Sequence, residues 1–260
     1  MSARPELRVL DDLEEIGREA GDFLFDSAES TIAARGVCRV ALSGGSTPKA
    51  LYEQIVRSSR SRSFPWAKMR FFFGDERCVP PAHAESNFGL ADGALFRPLR
   101  IESRHIHRMA GEQADTEKAA QDYEALLRKE FGMPAPAFPQ FDLLLLGLGD
   151  DAHIASLFPN TPALEERHRL VVPNQAPRGI PQRLTVTVPI LNHARIILFL
   201  VAGSGKAPAV RTVLDDPQAD ARRYPARLVR SEGGRVLWFL DRPAAAQLRM
   251  MTRGDSSREE

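Results

Sequence analysis

With 260 residues, 43% of them hydrophobic, the chain is long enough to bury a full core, and its size suits one large α/β domain better than two small ones. Lysine plus arginine (35) nearly equals aspartate plus glutamate (34), a formal net charge of +1, which argues against a nucleic-acid surface or a polybasic membrane anchor. Any anionic ligand must therefore be held by a local cluster.

The amino-terminal MSARPELRVLDDLEE has no apolar stretch of signal-peptide type, and no run approaches the roughly 18 apolar residues of a spanning helix, so a cytoplasmic protein without membrane contacts is expected. From Asp11 to Ala34, Leu13, Ile16, Ala20, Phe23 and Leu24 recur at three- and four-residue spacing, which predicts an amphipathic helix. Val37 to Leu42 reads as a buried strand running into Ser43, Gly44, Gly45, Ser46 and Thr47, with Pro48 starting a helix. Two readings of this turn are open: a cradle whose glycines and free helix amides receive a phosphate, or a strand-to-helix turn capped by Thr47. Neither a Walker loop nor a GxGxxG pattern is present, which disfavours nucleotide binding.

A second strand, Met69 to Phe73, ends at Gly74 and releases Asp75, Glu76 and Arg77 together. His83, Ser86 and Asn87 follow in a proline-stiffened loop, where they either close over a site or cap a helix. His105 and His107 form an HxH pair with no third ligand in view, so a structural role is expected and no metal is predicted. The two cysteines, Cys38 and Cys78, lack CxxC spacing and read as buried small side chains in a reducing compartment. Thr116 to Phe131 is helical in pattern, and the proline-rich Met133 to Pro139 connects it to the next strand.

That strand, Leu143 to Leu146, opens through Gly147 and Gly149 into Asp150, Asp151 and His153, with Ser156 and Phe158 beyond. Its apolar run is that of a strand covered on both faces, and titratable groups at its carboxyl end stand where ligands bind in open α/β sheets; a solvated loop is the alternative. Arg183 and Lys206, the latter in a glycine-rich turn after the strand Ile196 to Val201, are cations suited to a phosphate or simply solvated. Val236 to Leu240 reads as the last strand, and residues 252–260 as a frayed tail. Strand alternating with helix predicts an α/β fold, a Rossmann-like three-layer sandwich with a mainly parallel sheet, in a single domain spanning 1–260.

With these residues assembled, the chain resembles the 6-phosphogluconolactonase family from the first helix to WFLD at Trp238 to Asp241. The motifs that carry the resemblance are SGGSTP at Ser43 to Pro48, GDERCVPP at Gly74 to Pro81 with His83 and with SN at Ser86 to Asn87, GLGDDAHIASLFP at Gly147 to Pro159, and GSGKA at Gly203 to Ala207. One departure stands out. The family usually has proline, aspartate, glycine, histidine where this chain has Asp150, Asp151, Ala152 and His153, so alanine stands where glycine would accept a positive φ, and Asp150 adds a negative charge near an anionic substrate. Reduced activity or a slight loop rearrangement is expected from it.

The resemblance implies a fold similar to the sugar-phosphate deaminases and isomerases, and hydrolysis of 6-phosphoglucono-1,5-lactone without a cofactor. On this reading His153 is the general base that activates water, Asp151 orients its imidazole, Arg77 or amides near Gly44 and Gly45 receive the carbonyl oxygen, and Asp75 partners a hydroxyl or Arg77. Lys206 and Arg183, with Ser46 and Thr47, hold the phosphate; Ser43, Gly44, Gly45, His83, Asn87 and Ser156 complete the substrate-binding set. A covalent route through Ser43, Ser46 or Ser156 is the chemical rival, but no GxSxG elbow is present. Amino-sugar phosphate deaminases of similar sequence carry a glutamate where this chain has Phe158, and a sugar-phosphate sensor would need a DNA-reading extension that is not seen. The expected partner is the small sugar-phosphate lactone alone, with no nucleic acid and no membrane, and the expected state a monomer, with a weak homodimer as the alternative.

Overall fold

The computed structural model describes residues 5–249; the tail expected over 252–260 lies outside them. Six strands, Glu6–Leu10 (β1), Cys38–Leu42 (β2), Met69–Phe73 (β3), Leu143–Leu146 (β5), Ile196–Val201 (β8) and Arg235–Asp241 (β9), form one sheet in the order β1-β9-β8-β5-β2-β3. Every neighbouring pair in it is parallel. Three further strands, Asp75–Arg77 (β4), Val171–Gln175 (β6) and Gln182–Val186 (β7), pair antiparallel in the order β4-β7-β6.

Continuous apolar runs arise because each strand of the large sheet buries both faces. Val40, Leu42, Phe71, Phe73, Leu143, Leu145, Leu198 and Leu200 point to one core, packed with the helices Leu13–Arg35 (α1) and Ser46–Arg57 (α2). Their neighbours Ala41, Phe72, Leu144, Leu146, Ile197 and Phe199 point to the other, shared with Thr116–Phe131 (α5), Val188–His193 (α6), Ala207–Asp215 (α7) and the short Arg242–Ala245 (α8). Phe199 and Trp238, paired in register on β8 and β9, stack with centroids 3.8 Å apart. Two short helices, Asn87–Ala91 (α3) and Arg97–Leu99 (α4), flank a π-turn at Asp92–Phe96.

Helix ends follow local chemistry. Asp12 caps α1 by accepting the Glu15 amide at 2.9 Å, and Gly36 ends it at φ +79. Asp115 and Gly132 do the same for α5. The sequence places the start of α2, at Pro48, two residues late. Its first residue is Ser46, after Gly45 at φ +105, and no side chain caps it, so Thr47 belongs to the first turn instead of closing it.

Chain order sets the position of the site. From β2 the chain crosses through α2 to β3 on one side, whereas from β5 it proceeds to β8 and β9 on the other, so the direction of winding reverses between β2 and β5. Crevices outside the carboxyl ends at such a reversal are where open α/β sheets bind ligands. The small sheet is moored over this edge through Gly74, whose N–H donates to Leu42 O at 3.0 Å and whose carbonyl accepts from the Val186 amide at 2.9 Å.

Candidate active site

A cavity of about 800 Å³ opens at this edge, lined by the ends of β2, β5 and β8 and by the face of the small sheet. The loop after β5 supplies its titratable pair. Asp151 Oδ1 lies 2.6 Å from His153 Nδ1 and accepts the His153 amide at 3.1 Å, so one carboxylate oxygen fixes both backbone and ring, and Nε2 is left for other chemistry. Burial alone would push the Asp151 carboxyl up, but the His153 ring and amide together hold it below the usual carboxylate range. The Phe158 ring packs against the imidazole at 4.7 Å, which restricts its rotation.

The backbone needed for this pair explains the glycine beside it. A Cβ at Gly149 would sit 2.0 Å from His153 Nδ1 and 2.6 Å from Asp151 Oδ1. Ala152 keeps the left-handed conformation, at φ +61, although alanine disfavours it. Its N–H donates to Gly149 O at 2.9 Å and its carbonyl accepts from Ala226 at 3.0 Å, while its side chain is fully buried, so surrounding contacts hold the strained residue.

Opposite lies a buried hydrogen-bonded cluster. Alternation along β4 turns Asp75 and Arg77 toward the cavity and Glu76 away from it. Asp75 accepts from Ser156 Oγ at 2.6 Å and from Asn87 Nδ2 at 3.1 Å. Glu76 gathers the amides of Arg77, Asn87 and Phe88 at 2.7–2.8 Å and the Ser86 hydroxyl at 3.1 Å, although burial pushes its carboxyl up. Asn87 Oδ1 has no partner among the described residues and faces Gly44, where a Cβ would lie 1.8 Å from it and force Asn87 off its bonds to Asp75. Of the two partners expected for Asp75, the hydroxyl is found and Arg77 is not: Arg77 donates to Glu85 O at 2.6 Å.

The cations stand around this space. Arg77 and Arg183 face each other across β4 and β7. Arg183 is buried and forms no ion pair among the described residues; burial and the neighbouring Arg77 push its guanidinium down from its ordinary value. Lys206, in the turn before α7, lies 2.6 Å from Asp150. Arg178 also lines the cavity; its only sequence signal is a basic residue in the proline-flanked hairpin between β6 and β7.

Of the residues named from sequence, Ser43, Gly44, Gly45, Asp75, Arg77, Asn87, Asp151, His153, Ser156, Arg183 and Lys206 line the cavity. Ser46, Thr47 and His83 do not. Ser46 and Thr47 are carried outward as the first residues of α2, and His83 is exposed beside a separate groove, accepting the Glu85 amide at 3.0 Å. Sequence reading misses Tyr52, whose buried phenol accepts from the Ser43 amide at 3.2 Å and donates to its carbonyl at 2.7 Å, pinning the end of β2. Among the described residues no three His, Cys, Asp or Glu side chains are grouped to hold a metal, and no helix is long and apolar enough to cross a membrane. His107 of the HxH pair stacks on Phe72 at 4.6 Å.

The sequence matches, over residues 11–238, the model of the family described as glucosamine-6-phosphate isomerases/6-phosphogluconolactonase. It is 45% identical over 218 residues to a 6-phosphogluconolactonase of Synechocystis sp., covering 84% of this chain and 88% of that one. It is 36% identical to the 6-phosphogluconolactonase of Homo sapiens, with 93% of each chain covered. The solved 6-phosphogluconolactonase of Trypanosoma cruzi superposes with a TM-score of 0.85 at 30% identity, over 96% of this chain and 98% of that one.

Proposed function

This chain belongs to the glucosamine-6-phosphate isomerase/6-phosphogluconolactonase family, and on that premise we propose that it hydrolyses 6-phosphoglucono-1,5-lactone to 6-phosphogluconate. The observation that carries the reading is the Asp151–His153 pair, 2.6 Å apart, opening into a cavity that also presents Arg77, Arg183 and Lys206. His153 Nε2 takes a proton from the attacking water, the tetrahedral intermediate forms at the lactone carbonyl, and the same proton passes to the ring oxygen as the ester bond opens. Asp151 keeps the Nδ1 proton in place and stabilises the imidazolium. The developing oxyanion is met by Arg77 or by amides near Gly44 and Gly45, where the missing side chains admit close approach. Lys206 and Arg183 receive the phosphate.

Ser156 is a poor nucleophile here, because its buried hydroxyl is committed to Asp75 and no histidine is bonded to it. Phe158, packed on His153, offers no group to relay a proton for an isomerase or deaminase cycle. The same proposal takes the protein as a cytoplasmic, single-domain monomer.

Lactone generated in place by glucose-6-phosphate dehydrogenase tests the function, with 6-phosphogluconate followed against spontaneous hydrolysis. A rate above background that scales with protein is expected. Turnover of glucosamine-6-phosphate with no rate on the lactone would overturn the reading.

A further inference from the structure

Asp150 stands in the loop that carries Asp151 and His153, yet its own contact is with the turn that follows the neighbouring strand β8. Its Oδ1 lies 2.6 Å from Lys206 Nζ, and it is the one carboxylate within ion-pair distance of that ammonium among the described residues. The aspartate side chain is 78% exposed and the lysine 29%, so the more solvated partner is the acid and the more enclosed one is the base. Both line the cavity.

We propose that Asp150 is a displaceable counter-ion: its carboxylate occupies Lys206 while the cavity is empty, yields the ammonium to the ligand's phosphate, and so sets how tightly phosphate binds. The proposal rests on the preceding reading in taking Lys206 as a phosphate ligand. A phosphate dianion brings twice the charge of the carboxylate and more acceptor oxygens, and Arg183, buried and without an ion pair among the described residues, gives it a second cation that Asp150 does not reach. Exchange is therefore downhill, but an exposed pair must first be given up, at a cost of about two- to fivefold in affinity. Once displaced, Asp150 remains tethered beside the phosphate and repels it. A neutral ligand needs no ammonium and experiences neither effect. Asp150 thus acts through Lys206, as a positioning and specificity residue.

Equilibrium titration with inorganic phosphate tests this on the full-length protein, for the wild type, Asp150→Asn, Asp150→Glu and Lys206→Ala, and for the Asp150→Asn/Lys206→Ala double variant. Asp150→Asn is expected to tighten phosphate roughly three- to tenfold. Asp150→Glu, which restores the charge, should stay near wild type, and Asp150→Asn should have no effect once Lys206 is alanine. In the lactone assay the same Asn variant lowers KM for the phosphorylated substrate by a similar factor and raises the preference for it over unphosphorylated gluconolactone. An unchanged or weakened phosphate affinity in Asp150→Asn would overturn the proposal, as would an equal gain in the Lys206→Ala background. Absence of saturable phosphate binding in all five proteins would overturn it too. Lys206-dependent phosphate binding with the expected Asn effect, but no lactone turnover, would uphold the exchange and sink the lactonase reading instead.

Discussion

The two walls of the cavity are built differently. On one side the Asp151–His153 loop carries half-exposed groups on a backbone held in unusual conformations at Ala152 and Ala155. On the other, Asp75, Glu76, Ser86, Asn87 and Ser156 are all buried, and each carboxylate there has several donors. A proton in motion needs a group reachable by water and substrate; a wall that only holds shape is best buried and saturated with hydrogen bonds. Substitutions of the titratable side chains in the first wall should strike turnover and spare stability, and substitutions of the buried polar groups in the second should do the reverse.

The largest effect expected in the second wall is that of Asp75→Ala. It leaves the Ser156 hydroxyl without its acceptor and the Asn87 amide with the Asp75 backbone carbonyl alone, two bonds to a buried carboxylate lost at about 3–5 kcal/mol. Thermal unfolding should fall by roughly 6–20 °C. A melting temperature within a degree or two of wild type would erase the contrast between the walls. Tyr52→Phe comes next. It removes both bonds to the Ser43 backbone and should cost about 1–3 kcal/mol by denaturant titration. Because the phenol fixes the entry to Gly44, a smaller fall in turnover should accompany it.

An acid-side loss of stability is expected next. Burial pushes His105 and His107 below the ordinary imidazole value, the nearby Arg70 adding to it, so the folded state binds fewer protons than the unfolded one. The stability linked to them is present above about pH 6.5 and is lost as pH falls through their lowered values. Melting temperatures at pH 7.5 and 5.5 should differ by a few degrees, and His107→Gln should shrink the difference; a profile unchanged by that substitution would remove His107 from the account. The smallest effect is that of Ala152→Gly, which relieves about 1–2 kcal/mol of left-handed strain but adds about 0.5–1 kcal/mol of chain entropy in the unfolded state. A net gain of about 0–1.5 kcal/mol is expected by chemical denaturation, with turnover retained.

The same contrast governs what could be read from the sequence. Met69–Phe73, Leu143–Leu146 and Ile196–Val201 begin and end where their apolar runs do, because strands buried on both faces announce themselves without partners. The small sheet was illegible. Asp75–Arg77 is three charged residues whose strand character exists only by pairing with Gln182–Val186, more than a hundred positions away. At the site, residues directly following strands were found, since the sheet edge gathers them. What the sequence does not show is how side chains reach across the fold: Tyr52 turning back to Ser43, Arg178 entering from a hairpin, and the pairing of Asp150 with Lys206. His83 misled because proximity in sequence to Asn87 did not survive the turn of the loop, which sends Asn87 inward and His83 to solvent.

The most direct test is His153→Ala, with turnover in the coupled lactone assay and thermal unfolding measured on the same preparation. The account predicts a fall in kcat of about 10²–10⁴ at nearly unchanged KM, with a melting temperature close to wild type. Wild-type turnover in that variant, or a loss of turnover matched by loss of the fold, would contradict the assignment of the chemistry to the Asp151–His153 wall.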